Sequence, residues 1–159
     1  MEQTSGRKRN PSLVALMRAA RHTYALAIRE PLLEAGFDDI PRDGVFVIAA
    51  IRNSDVFAGD LGRSLGASKQ GVSQLLDALV SRGYVERSID TRDRRRTRLT
   101  LTKRGQRVAS VSRQAVDQVE KRIVETVGVA YVEHTRATLT ALIELAAEWQ
   151  PEALSATGR

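Results

Sequence analysis

The sequence predicts a mainly α fold of the α+β class, in which one short β-hairpin interrupts a run of helices. Three observations carry that prediction. Apolar residues recur at helical spacing over long stretches toward both ends of the chain. Two short helical patterns in the middle meet at a glycine turn. Directly after them Thr97 to Leu101 alternates, Leu99 and Leu101 on one face and Arg98 and Thr100 on the other, the period of a half-buried strand.

Taken in order, residues 1–9 read as a flexible basic arm. Asn10-Pro11 is a helix start, Asn as N-cap and Pro in the first helical position. Leu13, Leu16, Met17, Ala20, Tyr24 and Ala27 form the apolar face of that helix. Pro31 is expected to kink or break it and Gly36 to stop it. A second helix opens at Pro41 and contains "GVFVIAAI", Gly44 to Ile51, apolar nearly all round and so buried on most sides. Its β-branched residues also suit a strand, but the preceding proline and Ala49-Ala50 favour helix. Arg52 to Asp55 is a loop.

Ala58 to Leu65 makes a short helix and Gly66 the tight turn after it. Ser68 caps a second helix whose buried stripe is Val72, Leu75, Leu76 and Leu79, ended by Gly83. Tyr84 to Ser88 and Thr97 to Leu101 are the strands of a hairpin with a long loop, "IDTRDRRR". A helix-turn-helix followed by a β-hairpin is a winged helix-turn-helix, with a two-stranded or three-stranded wing. From Lys103 the pattern is helical again, with Val108, Val111, Ala115, Val119 and Ile123 in line and Val116 beside them, as far as Gly128. A last helix carries Val132, Leu139, Leu142, Ile143 and Ala146 and ends near Pro151. Residues 41–102 are thus the winged helix-turn-helix, 10–36 and 103–150 a helical region, and 151–159 a loose tail. The helical region has no sheet or third layer to cover its apolar faces, so a homodimer is expected, these helices being its dimerisation extensions.

Charge locates the function. The 159-residue chain carries a net +6. From Tyr84 to Arg107 nine Lys/Arg stand against three Asp/Glu, and the rest of the chain is balanced at sixteen of each. A basic patch confined to the wing of an otherwise neutral body is an electrostatic footprint for nucleic acid. Other classes are set aside. Without cysteine there is no disulfide, thiolate metal site or thiol catalysis. His22 and His134 stand far apart without further ligands, so no metal is expected. No nucleophile elbow or glycine-rich phosphate loop is present, so no catalytic residue or cofactor is assigned. No apolar run reaches the roughly 18 residues that span a bilayer, and no signal-peptide pattern opens the chain. A cytoplasmic protein with no membrane partner is the expectation.

The stretch "LGASKQGVSQLLDALVSRGYVERSIDTRDRRRTRLTLTKRG" resembles the MarR family of winged-helix transcriptional regulators. The matching pieces are Ser68, Leu79, Arg82 to Arg87, Asp90, Asp93-Arg94-Arg95 and Leu101 to Gly105. Two departures are visible. Thr91 stands where the family has a proline, and Gly62 replaces a small alanine, which weakens that helix by roughly 0.5–1 kcal/mol. The resemblance implies a homodimeric regulator, expected to be a repressor, that binds a pseudo-palindromic stretch of double-stranded DNA. It also implies that a small aromatic or anionic effector releases the DNA.

In a helix-turn-helix the start of the second helix enters the major groove. Ser68, Lys69, Gln70, Ser73 and Gln74 occupy that start, and the apolar stripe turns them outward. Gln suits adenine, and Lys suits guanine or phosphate. In the wing, similarity to the family assigns Arg95 to the minor groove, with Asp93 pairing to it and fixing its direction. Arg92, Arg94 and Arg96 suit phosphates, which fix register without reading sequence. Arg98 and Arg104 suit a solvated face equally well. His22, Tyr24 and Phe46 are the residues able to line an effector pocket, although plain core packing also accounts for them. Two other readings stay open: an architectural DNA-binding protein without effector, and a dimeric protein-interaction module with an acidic partner.

Overall fold

The computed structural model describes residues 10–53, 56–61, 68–90 and 93–149. Its elements in chain order are α1 (Leu13–Glu34), α2 (Gly44–Asn53), β1 (Val56–Phe57), α3 (Lys69–Ser81), β2 (Val85–Ile89), β3 (Thr97–Leu101), α4 (Lys103–Val127) and α5 (Val129–Trp149). The architecture is the winged helix-turn-helix of the sequence reading. The predicted arm at 1–9, the turn at Gly66 with the helix ahead of it beyond Leu61, and the tail from 150 lie outside the described residues.

Two expectations about α1 are corrected. The cap is Ser12 rather than Asn10, its Oγ accepting the N–H of Ala15 at 3.2 Å. Serine reaches this N3 donor in extended backbone geometry, so the helix starts after it. Pro31 does not break the helix, which runs on to Glu34 with Pro31 inside it. One N–H is missing there, but Ile28 and Leu32 on either side are buried and hold the helix in register. The end behaves as predicted. Gly36 at φ 80° donates to Leu33, and Phe37 donates to Leu32 at 2.8 Å, a Schellman closure. The same closure recurs after α3: Gly83 at φ 71° donates to Val80, and Tyr84 donates to Leu79.

The sheet has the order β1-β3-β2, antiparallel throughout. Val85 pairs with Leu101, Arg87 with Leu99 and Ile89 with Thr97. The third strand, β1, is two residues long and pairs Val56 with Leu99 and Phe57 with Arg98. Two residues display no period, so no sequence pattern announces it.

The core is aliphatic, as scarce aromatics require. Val47 and Ile48 of α2, Leu76 and Leu79 of α3, Val85 of β2 and Val108 of α4 are all but completely buried, with Tyr84 among them. The chain divides after Val116 into two compact units. In the second unit, Asp117 onward, no described residue reaches full burial. Ile123, Val124, Val127, Val129, Tyr131 and Ile143 are all exposed there.

One glycine is fixed by space rather than by dihedral angle. A Cβ on Gly105 would stand 2.1 Å from the carbonyl oxygen of Tyr84. At Gly36 a Cβ would meet nothing within 4 Å. Gly105→Ala is therefore predicted to cost about 3 kcal/mol, the upper end of overpacking, and Gly36→Ala only about 1 kcal/mol, the left-handed penalty. Urea unfolding midpoints of the two variants check that order.

Candidate nucleic-acid interface

Helix α3 presents its first turns to solvent. Ser68 sits in extended conformation, and its Oγ accepts the N–H of Gly71 at 3.2 Å. That bond satisfies an orphan donor and sets where the helix begins. Val72, Leu76 and Leu79 face the core, which leaves Lys69, Gln70, Ser73 and Gln74 exposed. The five residues predicted for base contact thus share one helix end.

The wing tip is built by its two aspartates. Asp90 is buried, and its Oδ1 accepts the N–H of Asp93 at 3.0 Å. Asp93 Oδ1 accepts the N–H of Arg95 at 3.0 Å. Backbone bonds from Asp90 N to Arg96 O and from Arg96 N to Asp93 O close the loop. Asp93 therefore fixes Arg95 through its main chain, in an Asx turn, instead of through the guanidinium as the family resemblance implied. Arg94 and Arg95 are exposed, and neither has an ion-pair partner among the described residues. Arg92 lies outside them.

Three further arginines of the wing, Arg87, Arg96 and Arg98, face carboxylates of the protein. Arg96 donates to Asp60 Oδ2 at 3.0 Å and lies 3.6 Å over the Phe57 ring. A phosphate contact of the kind expected of Arg96 would share its guanidinium with Asp60. Arg98 lies 3.8 Å from Asp90 and 5.9 Å from the Phe57 ring. Arg87 pairs with Asp77 at 2.7 Å, tying β2 to α3. Exposed pairs of this kind contribute about 0–1 kcal/mol each, so their effect is on direction more than on stability. Sequence reasoning missed Ile89, which stands 69% exposed at the end of β2 beside the arginine loop.

It also missed the cluster at the root of the wing. Thr102 Oγ1 donates to Gly83 O at 2.6 Å and accepts the N–H of Gly105 at 3.0 Å. The Tyr84 hydroxyl donates to Asp39 Oδ1. Arg104 donates to Asp39 Oδ1 at 2.8 Å and to the Tyr84 oxygen at 3.0 Å, its guanidinium 4.5 Å over the Tyr84 ring. The Tyr84 bond holds the Asp39 carboxyl below the usual carboxylate range, helped by Arg104 and Arg82 against the opposing effect of burial. Burial first, and the Asp39 bond second, push the Tyr84 hydroxyl up to about 12, with Arg104 opposing. Asp39 comes from a loop 45 residues away in sequence, and no local pattern pairs the two.

A cavity of about 1140 Å³ lies along α1 and the start of α2. His22 and Phe46 line it, together with Arg18, Arg29, Phe37 and Arg42. Tyr24, predicted beside His22, is not among its lining residues. Arg21 pairs with Asp43 at 2.5 Å and lies 4.8 Å over the Phe46 ring.

Fold and site together define a winged helix-turn-helix protein with a basic wing. Residues 39–96 match the family model described as MarR family, a match that covers the winged part of the chain. A curated relative, the exopolysaccharide II synthesis transcriptional activator ExpG of Rhizobium meliloti (strain 1021), is 26% identical over 114 residues. Those residues are 70% of this chain and 57% of the relative, so the match spans little more than half of the relative's length. A solved structure of MarR superposes with a TM-score of 0.69 at 20% identity, over 91% of this chain and 97% of that one. The S. aureus MepR–DNA complex gives 0.67 at 21% identity, over 86% and 99%. These structures share the fold. No helix among the described residues is long and apolar enough to cross a membrane.

The tyrosine gives a pH prediction. A hydroxyl whose folded pKa lies near 12, against an ordinary 10.0, stabilises the fold fully below pH 10 and loses that contribution as pH rises toward 12. Tyr84→Phe is predicted to remove this part of the alkaline loss. Denaturant midpoints of both proteins across that range check it, and a tyrosinate absorbance titration of Tyr84→Phe should lack the late-ionising step.

Proposed function

We propose that the protein is a homodimeric, sequence-specific DNA-binding transcriptional regulator. The observation that carries this is an outward polar helix end together with two exposed arginines that have no ion-pair partner among the described residues, on a loop held by Asp90 and Asp93. Lys69, Gln70, Ser73 and Gln74 read base edges in the major groove, with Ser68 both capping the helix and offering its hydroxyl hydrogen. Arg95 enters the adjacent minor groove, whose narrow, strongly negative form attracts arginine. Arg94, and with it Arg92 from the same basic run, neutralises phosphates. Arg96, paired with Asp60 and lying on the Phe57 ring, supports the wing.

The dimer reading rests on burial. The second unit is a helical hairpin whose apolar side chains stay exposed in one chain, and a second copy is the simplest cover for them. Two copies place two recognition helices about one helical turn, near 10 base pairs, apart on a pseudo-palindrome. Occupancy of an operator over a promoter represses. The relative ExpG is named an activator, so a reporter fused to the regulated promoter, compared with and without the protein, assigns the sign. A small aromatic or anionic effector suits the cavity of His22, Phe46 and the arginines around them.

Arg95→Ala is predicted to weaken operator binding at least tenfold, the scale of one charge-assisted contact, while leaving the dimer intact. Gel-shift titration at fixed salt measures the first and sedimentation the second. Unchanged operator affinity removes Arg95 from the interface, and a monomer at micromolar concentration removes the dimer.

A further inference from the structure

The loop between α1 and α2 bears a carboxylate to which the sequence reading gave no role. Asp39 is held from three directions. The Tyr84 hydroxyl and the Arg104 guanidinium both donate to its Oδ1. Arg82 donates to its backbone carbonyl at 2.6 Å. These donors stand at three element ends. Arg82 is the C-cap of α3, Tyr84 immediately precedes β2, and Arg104 is the second residue of α4. Asp39 therefore grips the exit of the recognition helix and both roots of the wing at one point, and Thr102 locks those roots to each other. The residues flanking Asp39 are themselves fixed. Phe37 stacks against Tyr84 with ring centroids 6.3 Å apart, and Arg107 lies 5.4 Å over Phe37.

Resting on the DNA-binding reading above, we propose that Asp39 is a positioning residue for operator recognition. It touches no DNA. It fixes the angle at which α3 and the wing are offered together, so that base contacts and the Arg95 contact are made simultaneously. The charge arithmetic favours this over a purely stabilising role. Exposed ion pairs add little to stability, and the carboxyl of Asp39 is more than one-third exposed, as is Arg104. What the arrangement supplies is direction, because one acceptor atom with two donors allows a narrow range of placements. The same loop walls the cavity with Phe37, Asp38, Ile40 and Pro41 on either side of Asp39.

The test uses the full-length protein and a duplex selected from a random pool by the wild type. Asp39→Asn keeps an acceptor for Tyr84 and removes the charge facing Arg104; Tyr84→Phe keeps the ring and removes the hydroxyl. Each is expected to leave circular dichroism and dimer mass unchanged, and to lower the ratio of selected-duplex to random-duplex affinity about tenfold, the scale of a charged hydrogen bond. The slope of affinity against salt should stay the same, because the phosphate-binding arginines remain. The double variant should lose less than the two single losses combined, since Tyr84 and Arg104 act on the same Asp39 oxygen. A folded Asp39→Asn protein with undiminished selectivity overturns the proposal, as does a loss shared equally by selected and random duplex. A wild type that selects no duplex overturns the DNA reading and this inference with it.

Discussion

The hydroxyl of Thr102 joins the parts of this molecule on which the others depend. It donates to the Gly83 carbonyl just past α3 and accepts the N–H of Gly105 in the first turn of α4, while the Thr102 N–H binds Tyr84 O at 3.2 Å. A single side chain thereby closes the wing, caps the helix that follows it and attaches both to the recognition helix. This joint needs the space that Gly105 leaves above the Tyr84 carbonyl. It also needs the Schellman turn at Gly83, which drops Tyr84 into the core. Burying that ring gains about 2–3 kcal/mol, more than any of the surface ion pairs, so the wing is anchored by apolar packing and aimed by polar contacts.

The positive excess of the sequence divides accordingly. Arg87, Arg96, Arg98 and Arg104 each face a carboxylate of another element or of the wing itself, through Asp77, Asp60, Asp90 and Asp39. Arg94 and Arg95 remain at the tip. A count of basic residues treats all of these alike, whereas the structure separates arginines that shape the wing from arginines left to meet an anion. Phe57 contributes to that separation by holding Arg96 against its face. Without these internal carboxylates the same run of arginines would repel itself and spread.

Much of this was legible in the sequence because it is local. The strand at Thr97–Leu101 follows from alternation, the cap at Ser68 from residue type, and the α3 stripe from periodicity. The turn at Asp93 was legible in part. The resemblance paired its aspartate with Arg95, but the atom it holds is the Arg95 backbone N–H, a distinction that sequence does not express. What escaped is long-range or too short to have a period. Strand β1 has only two residues, and Asp39 acts on partners 43 to 65 positions away. The break allowed for at Pro31 does not occur, because a propensity rule weighs one lost hydrogen bond and not the burial of Ile28 and Leu32 around it.

The central claim is that a rigidly rooted wing and a capped helix end are offered to DNA as one surface. Hydroxyl-radical footprinting of the complex on a selected duplex measures this most directly. Paired protections are expected in each half-site, one across the major groove where the proposed function places α3 and one in the adjacent minor groove where it places the wing. Protection across the major groove alone, with the flanking minor groove fully cleaved, would contradict it.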